Sequence, residues 1–220
     1  MTAVMHAEKV KVQAGKVALQ GDLVIPENAT AIAVFVHGSG SSRFSPRNRA
    51  VAGILNEGGL ATLLMDLLSM EEQRIDEFTG ELRFDIPFLA QRVVGTVDWL
   101  SENERTQGLK IGLFGASTGA AAALVAAAER QDAVGAVVSR GGRPDLASDW
   151  LPRVKAPTLL IVGGADTAVI QMNREAAELL TAENRIEIVP GAGHLFEEPG
   201  ALQKVAELAR DWFVKHLMKS

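Results

Sequence analysis

The chain has 220 residues, 47% of them apolar, and a formal net charge of −5. That length and apolar content suffice for one large core in a single domain over residues 1–220, and an acidic chain without a basic block lacks the electrostatic driver for nucleic-acid binding. There is no cysteine, so disulfides and thiolate metal sites are excluded. No apolar run approaches a membrane span and no signal-peptide pattern opens the chain, so a cytoplasmic protein making no membrane contact is expected.

In chain order, the pattern predicts a hairpin from Lys9–Gln13 and Lys16–Ile25, then strands and helices in alternation. Strands are expected near Ala31–Val36, Ala61–Leu67, Lys110–Phe114, Ala133–Ser139, Thr158–Val162 and Arg185–Val189. Helices are expected near Pro46–Glu57, Phe84–Glu102, Thr118–Arg130, Met172–Ala182 and Gly200–Leu217. Such alternation makes a mostly parallel α/β sheet with helices on both faces, and ligand chemistry gathers at the carboxyl ends of its strands. The acidic segment from Met70 to Glu81 reads as a solvated loop. The short stretch between Ser139 and Thr158 leaves no room for a helical lid, so the site should be open.

The most informative segment is Lys110-Ile-Gly-Leu-Phe-Gly-Ala-Ser117-Thr-Gly119, which runs directly into the alanine-rich Ala120–Glu129. A strand that ends in Gly-x-Ser-x-Gly and becomes a helix without a loop puts Ser117 on a sharp bend. Glycines at 115 and 119 remove the Cβ atoms that would clash there. The hydroxyl is exposed at a helix N-terminus, where the Thr118 N–H is placed to receive developing negative charge. Ser117 is the candidate nucleophile.

A serine needs a base, and four histidines are available. His6 lies near the N-terminus, and His216 sits in the last turn of a terminal helix, where the helix dipole explains it. His194 follows the strand-like Arg185–Pro190 inside the turn Gly191-Ala-Gly-His194 and is the candidate base. Asp166 ends the apolar run Thr158–Gly164; it would orient the His194 ring and stabilise the imidazolium, or else cap the following helix. The run Ala31–Val36 leads to His37-Gly-Ser-Gly40, where Ser39 is the candidate second oxyanion donor through its N–H, with Gly40 the nearest competitor. His37 reads as structural, its ring fixing the turn.

His37-Gly-Ser-Gly-Ser-Ser-Arg43, Gly115-Ala-Ser117-Thr-Gly119, Ser139-Arg-Gly-Gly-Arg143-Pro-Asp, Gly163-Gly-Ala-Asp166 and Gly191-Ala-Gly-His194-Leu-Phe-Glu-Glu-Pro199 occur in this order. In order and spacing they resemble an α/β-hydrolase of the dienelactone-hydrolase-like group over nearly the whole chain, with the triad order Ser, Asp, His of that fold. The resemblance implies an α/β-hydrolase fold without a cap domain, a small-molecule ester substrate and no cofactor. Dienelactone hydrolases proper use a cysteine nucleophile; serine here puts the dienelactone substrate in doubt, not ester hydrolysis. Related chains are often fused to a phosphoribosyltransferase domain, which is not expected within these residues.

Around the expected site lie Arg43, Arg140 and Arg143, which can hold a substrate carboxylate or pair with nearby acids and order their loops. His194 with Glu197 and Glu198 does not make a metal site, because no second histidine or cysteine stands at ligand spacing. The dispersed Trp99, Trp150 and Trp212 read as packing residues. The expected reaction is acyl transfer from an ester or lactone to water through Ser117. Acyl transfer to another acceptor, thioester or amide cleavage by the same triad, and a binding protein that keeps the fold without turnover stand as alternatives. Oligomeric state is not encoded in these residues.

Overall fold

The strand Ala31–Val36 (β3) shows how the sheet divides its two faces. Ala31, Ala33 and Phe35 point to one buried cluster while Ile32, Val34 and Val36 point to the other, the period-two alternation of a strand covered on both sides. A computed structural model describes residues 6–218, so the two ends of the expected 1–220 span lie outside the described residues.

The other strands are β1 (Glu8–Ala14), β2 (Val17–Val24), β4 (Ala61–Met65), β5 (Lys110–Ala116), β6 (Val134–Arg140), β7 (Thr158–Gly163) and β8 (Asn184–Val189). They form one eight-stranded sheet in the order β1-β2-β4-β3-β5-β6-β7-β8. The β1–β2 and β2–β4 pairs are antiparallel and all others parallel. Helices α3 (Ile86–Glu102), α4 (Thr118–Glu129) and α5 (Thr167–Leu179) cover one face, and α1 (Pro46–Glu57) and α6 (Ala201–Leu217) the other. This is the expected α/β architecture. Between β6 and β7 the chain makes only two short 3-10 turns, Pro144–Ala147 and Leu151–Arg153, with no lid helix there.

Packing at the centre rests on bulk in the strands and small residues in the helix. Phe35 and Phe114 are opposite in register, with ring centroids 4.8 Å apart. Burying each ring contributes about 2–3 kcal/mol, and the ring pair about 1 kcal/mol more. Helix α4 is buried from Thr118 to Ala128, which its near-unbroken alanine run permits by letting the helix sit deep between α3 and the sheet.

Most boundaries fall within two residues of the sequence reading, and the larger differences lie in two helices. Met70–Thr79 is a helix, α2, capped by the reciprocal Ser69–Glu72 box and closed by Gly80 at φ 65°. Helix α5 begins five residues earlier than expected, at Thr167, because the turn after β7 passes straight into it, burying Val169, Asn173 and Ala176 at helical spacing. It ends at Leu179, where the chain turns extended toward β8. No helix among the described residues is long and apolar enough to cross a membrane.

Order within the sheet sets the location of the site. From β3 the chain proceeds outward to β4, then returns to β5 and proceeds the other way, so the connections diverge between β3 and β5. The crevice at the carboxyl ends of strands flanking such a divergence is where open α/β sheets bind ligands. The Ser39 turn leaves β3 and the Ser117 bend leaves β5.

Candidate active site

Ser117 has φ 52° and ψ −124°, a conformation that a side-chain-bearing residue avoids and that stores roughly 1–3 kcal/mol of strain. Neighbouring contacts hold it there. Its N–H donates to the Arg140 carbonyl (3.2 Å), and its own carbonyl accepts the Arg143 N–H and the Ala120 N–H (both 3.1 Å). Close backbone approach requires the flanking glycines: a Cβ on Gly119 would stand 2.3 Å from the Val36 carbonyl oxygen, and one on Gly115 2.4 Å from the Ala120 Cα. The Ser117 hydroxyl makes no capping bond to its own helix, so it is not consumed structurally.

The loops after β7 and β8 supply the acid and the imidazole. His194 Nδ1 and Asp166 Oδ2 are 2.7 Å apart. Although Asp166 occupies the position preceding α5, its carboxylate makes no capping bond, so the capping alternative does not describe it. Its side chain is 17% exposed against 40% for His194, which makes the carboxylate the sheltered member and leaves the imidazole open to solvent. The loops are stitched together by Ala165 N–H to the Ala192 carbonyl (2.9 Å), and Glu198 Oε1 accepts the Gly193 N–H (2.9 Å) beside the histidine.

Gly141 joins this pair to the serine. It follows Arg140, whose carbonyl holds the Ser117 N–H, and a Cβ there would lie 3.5 Å from His194 Nδ1. The nucleophile bend and the His194 loop therefore meet over the end of β6. Glu198 entered the sequence reading only as a rejected metal ligand and Gly141 was not singled out, the Gly-Gly pair at 141–142 being its only signal.

On the opposite side, the turn after β3 packs directly on the serine: a Cβ on Gly38 would stand 3.1 Å from the Ser117 Cβ. His37 fixes this turn as expected. Its Nδ1 donates to the Gly38 carbonyl (2.9 Å) and its Nε2 accepts the Leu67 N–H (3.1 Å), an arrangement that needs the neutral ring. Burial lowers its pKa, and the Gly38 carbonyl and Asp66 offset that only in part. The Ser39 N–H, expected to face a substrate, instead donates to Thr118 Oγ1 at 2.9 Å. The Thr118 N–H has no hydrogen-bond partner among the described residues, as expected in the first turn of α4.

The three arginines behave differently from one another. Arg43 pairs with Asp66, which also accepts the Arg43 N–H (2.8 Å). Arg143 makes a two-pronged contact with Asp145 at 2.9 and 2.7 Å, which raises its pKa. Arg140 is buried against α1, bonded to Asn48 Oδ1 (3.3 Å), with a second terminal nitrogen unpartnered. Burial, then the charge of Arg47, lowers its pKa to about 10.

Helix α2 is the other correction near the site. Rather than a solvated loop, it contributes Gln73, Asp76 and Glu77 to a cavity of about 250 Å³ whose opposite wall is the Gly38–Ser41 turn. Leu67, Leu68 and Leu89 supply its apolar part.

Residues 20–217 match the model of the dienelactone hydrolase family. The chain belongs to that family. It is similar to the dienelactone hydrolase from Anabaena variabilis, whose crystal structure is 62% identical, superposes with a TM-score of 0.96, and matches over 97% of this chain and 99% of that one. Est1E from Butyrivibrio proteoclasticus superposes with a TM-score of 0.79 over 97% of this chain and 100% of its own, but at 16% identity, so it shows a shared fold alone. A Mycobacterium tuberculosis protein named "Putative phosphoribosyl transferase" is 54% identical over 213 residues. That match takes in 97% of this chain and 47% of the relative, so the chain spans about half the length of the curated relatives it matches.

Proposed function

We propose that this member of the dienelactone hydrolase family is a serine hydrolase, working as a single domain on small, uncharged carboxylic esters or lactones. The observation carrying the proposal is the 2.7 Å contact between Asp166 and His194, made by a carboxylate that does not cap its own helix. The strained Ser117, joined to the His194 loop through Arg140 and Gly141, supports the reading, because strain of this kind persists where the surroundings enforce it.

In the proposed reaction His194 Nε2 removes the Ser117 proton as Oγ attacks the carbonyl carbon. The carbonyl oxygen becomes an oxyanion at the head of α4, beside the Thr118 N–H and the Ser39–Thr118 pair. Asp166 holds Nδ1–H, so that Nε2 is the basic nitrogen, and stabilises the ring once it is protonated. His194 then gives the proton to the departing alcohol, leaving an acyl-enzyme. A water deprotonated by the same nitrogen releases the acid and restores the hydroxyl.

Size and charge guide the substrate class. The cavity of about 250 Å³ between the Gly38–Ser41 turn and α2 suits a short acyl or alcohol group; Arg83 on its wall is tied to Asp76 at 2.7 Å, so the charge left to disfavour an anion is that of Glu77. The Arg143 fork is taken by Asp145, and Arg43 gives one terminal nitrogen to Asp66 with Asp22 3.8 Å from its Nε, so both order loops. Turnover of p-nitrophenyl esters of increasing chain length tests the proposal. Short esters should be hydrolysed, a fluorophosphonate should label Ser117, and Ser117→Ala should remove both signals while the protein stays folded. Undiminished turnover in that variant overturns the assignment.

A further inference from the structure

The Ser39 N–H carries one proton, and it is given to Thr118 Oγ1 at 2.9 Å. A hydroxyl that has accepted a bond still has its own proton to donate. Among the described residues no acceptor takes that proton from Thr118. Thr118 is largely buried in the first turn of α4, immediately after the nucleophile, and its own N–H also lacks a partner. Two unused donors therefore sit on one residue, next to Ser117.

An oxyanion held by the Thr118 N–H cannot also lie where Oγ1 stands. Its second donor is the Thr118 O–H in its present position, the Ser39 N–H after the threonine has swung aside, or the Gly40 N–H of the same turn. The first needs no reorganisation. Branching at Cβ restricts the threonine rotamers, the Ser39 bond selects one of them, and accepting that bond polarises the O–H toward donation. Fixed donors at a place where charge develops are what electrostatic catalysis requires.

Resting on the acyl-enzyme reading above, we propose that the Thr118 hydroxyl is itself an oxyanion donor. In this arrangement the Ser39 N–H orients and polarises the hydroxyl without touching substrate, and a single threonine supplies both direct donors, one from its backbone and one from its side chain.

The test compares Thr118→Val, Thr118→Ala and Thr118→Ser with the wild type, reading both the rate of Ser117 phosphonylation by a fluorophosphonate and p-nitrophenyl acetate turnover. Loss of one oxyanion donor is expected to slow the Val and Ala variants by about 10²–10³-fold, in kcat and not KM, while Ser stays within about tenfold of wild type. Thermal melts identify any variant that fails to fold, and Ala serves in place of Val in that event. Val or Ala variants that react as fast as wild type or faster overturn the proposal, because the hydroxyl would then only shield the Ser39 N–H at rest. A wild type that is not labelled at all removes the acyl-enzyme reading itself, an outcome distinct from labelled wild type with equally labelled variants.

Discussion

Gly141 adopts φ 52° directly beneath His194, such that a Cβ added to it would lie 3.2 Å from the His194 carbonyl oxygen and 3.5 Å from Nδ1. Gly141→Ala introduces both left-handed strain, about 1–2 kcal/mol, and pressure on the imidazole loop. The melting temperature should fall, and kcat should fall about 10–100-fold with it, since small misplacements of a catalytic group are expensive in rate. Unchanged steady-state kinetics in a destabilised variant would show that the histidine does not depend on this contact.

The Asp166 carboxylate makes its contact with the ring and none with its own helix. Asp166→Asn should therefore leave the melting temperature nearly unchanged while lowering kcat about 10³–10⁴-fold, because the amide favours the wrong tautomer. Steady-state assays and a thermal melt on one preparation check this. A large loss of stability with modest loss of rate would mean that the carboxylate is mainly structural.

His37 links the turn after β3 to pH. Its ordinary value is 6.5, and burial holds the folded-state value lower. Above 6.5 the ring is neutral whether folded or unfolded, and the turn keeps its full stability. As pH falls below that point the unfolded chain takes up the proton first, so stability is lost until the folded-state value is reached. Melting temperatures measured from pH 8 to pH 5 should drop more steeply for wild type than for His37→Gln; equal slopes would assign the acid sensitivity elsewhere.

Arg140 is charged and buried without a carboxylate, so at neutral pH its guanidinium opposes folding, and that penalty lessens only as pH rises through about 10. Arg140→Met should raise stability by about 1 kcal/mol or more, measured by denaturant titration, since the backbone carbonyl that holds Ser117 is retained. Neutral ester turnover should stay within a few-fold. Selective loss of activity on a carboxylate-bearing ester would make Arg140 a substrate anchor.

The sheet was legible because burial on both faces leaves a simple imprint, and Ala31–Val36 and Pro46–Glu57 have the ends that apolar runs, Ser45 and Pro46 suggest. Helix α2 was obscured because it buries only Asp76 and leaves Met70, Ile75 and Phe78 exposed, so no apolar stripe marks it. Its caps were nevertheless written in the chain, as Ser69-x-x-Glu72 and Gly80. At the site, Ser117, Asp166 and His194 each follow a strand and could be read locally. The Thr118–Ser39 bond and the Gly141–His194 contact join residues distant in sequence, of which one-dimensional spacing carries no trace, while the Glu198 brace spans five residues and depends on how that loop folds.

The nucleophile hangs from β5 at the middle of the sheet, but its acid and base hang from β7 and β8, the last two strands, and in β8 only Val189 is fully sheltered. Sheet borders fray before centres do. Warming should silence the molecule by letting the β8 margin loosen while the alanine helix and its serine remain in place, and cooling should restore it. Inactivation would then be a reversible event at the periphery, several degrees short of collapse.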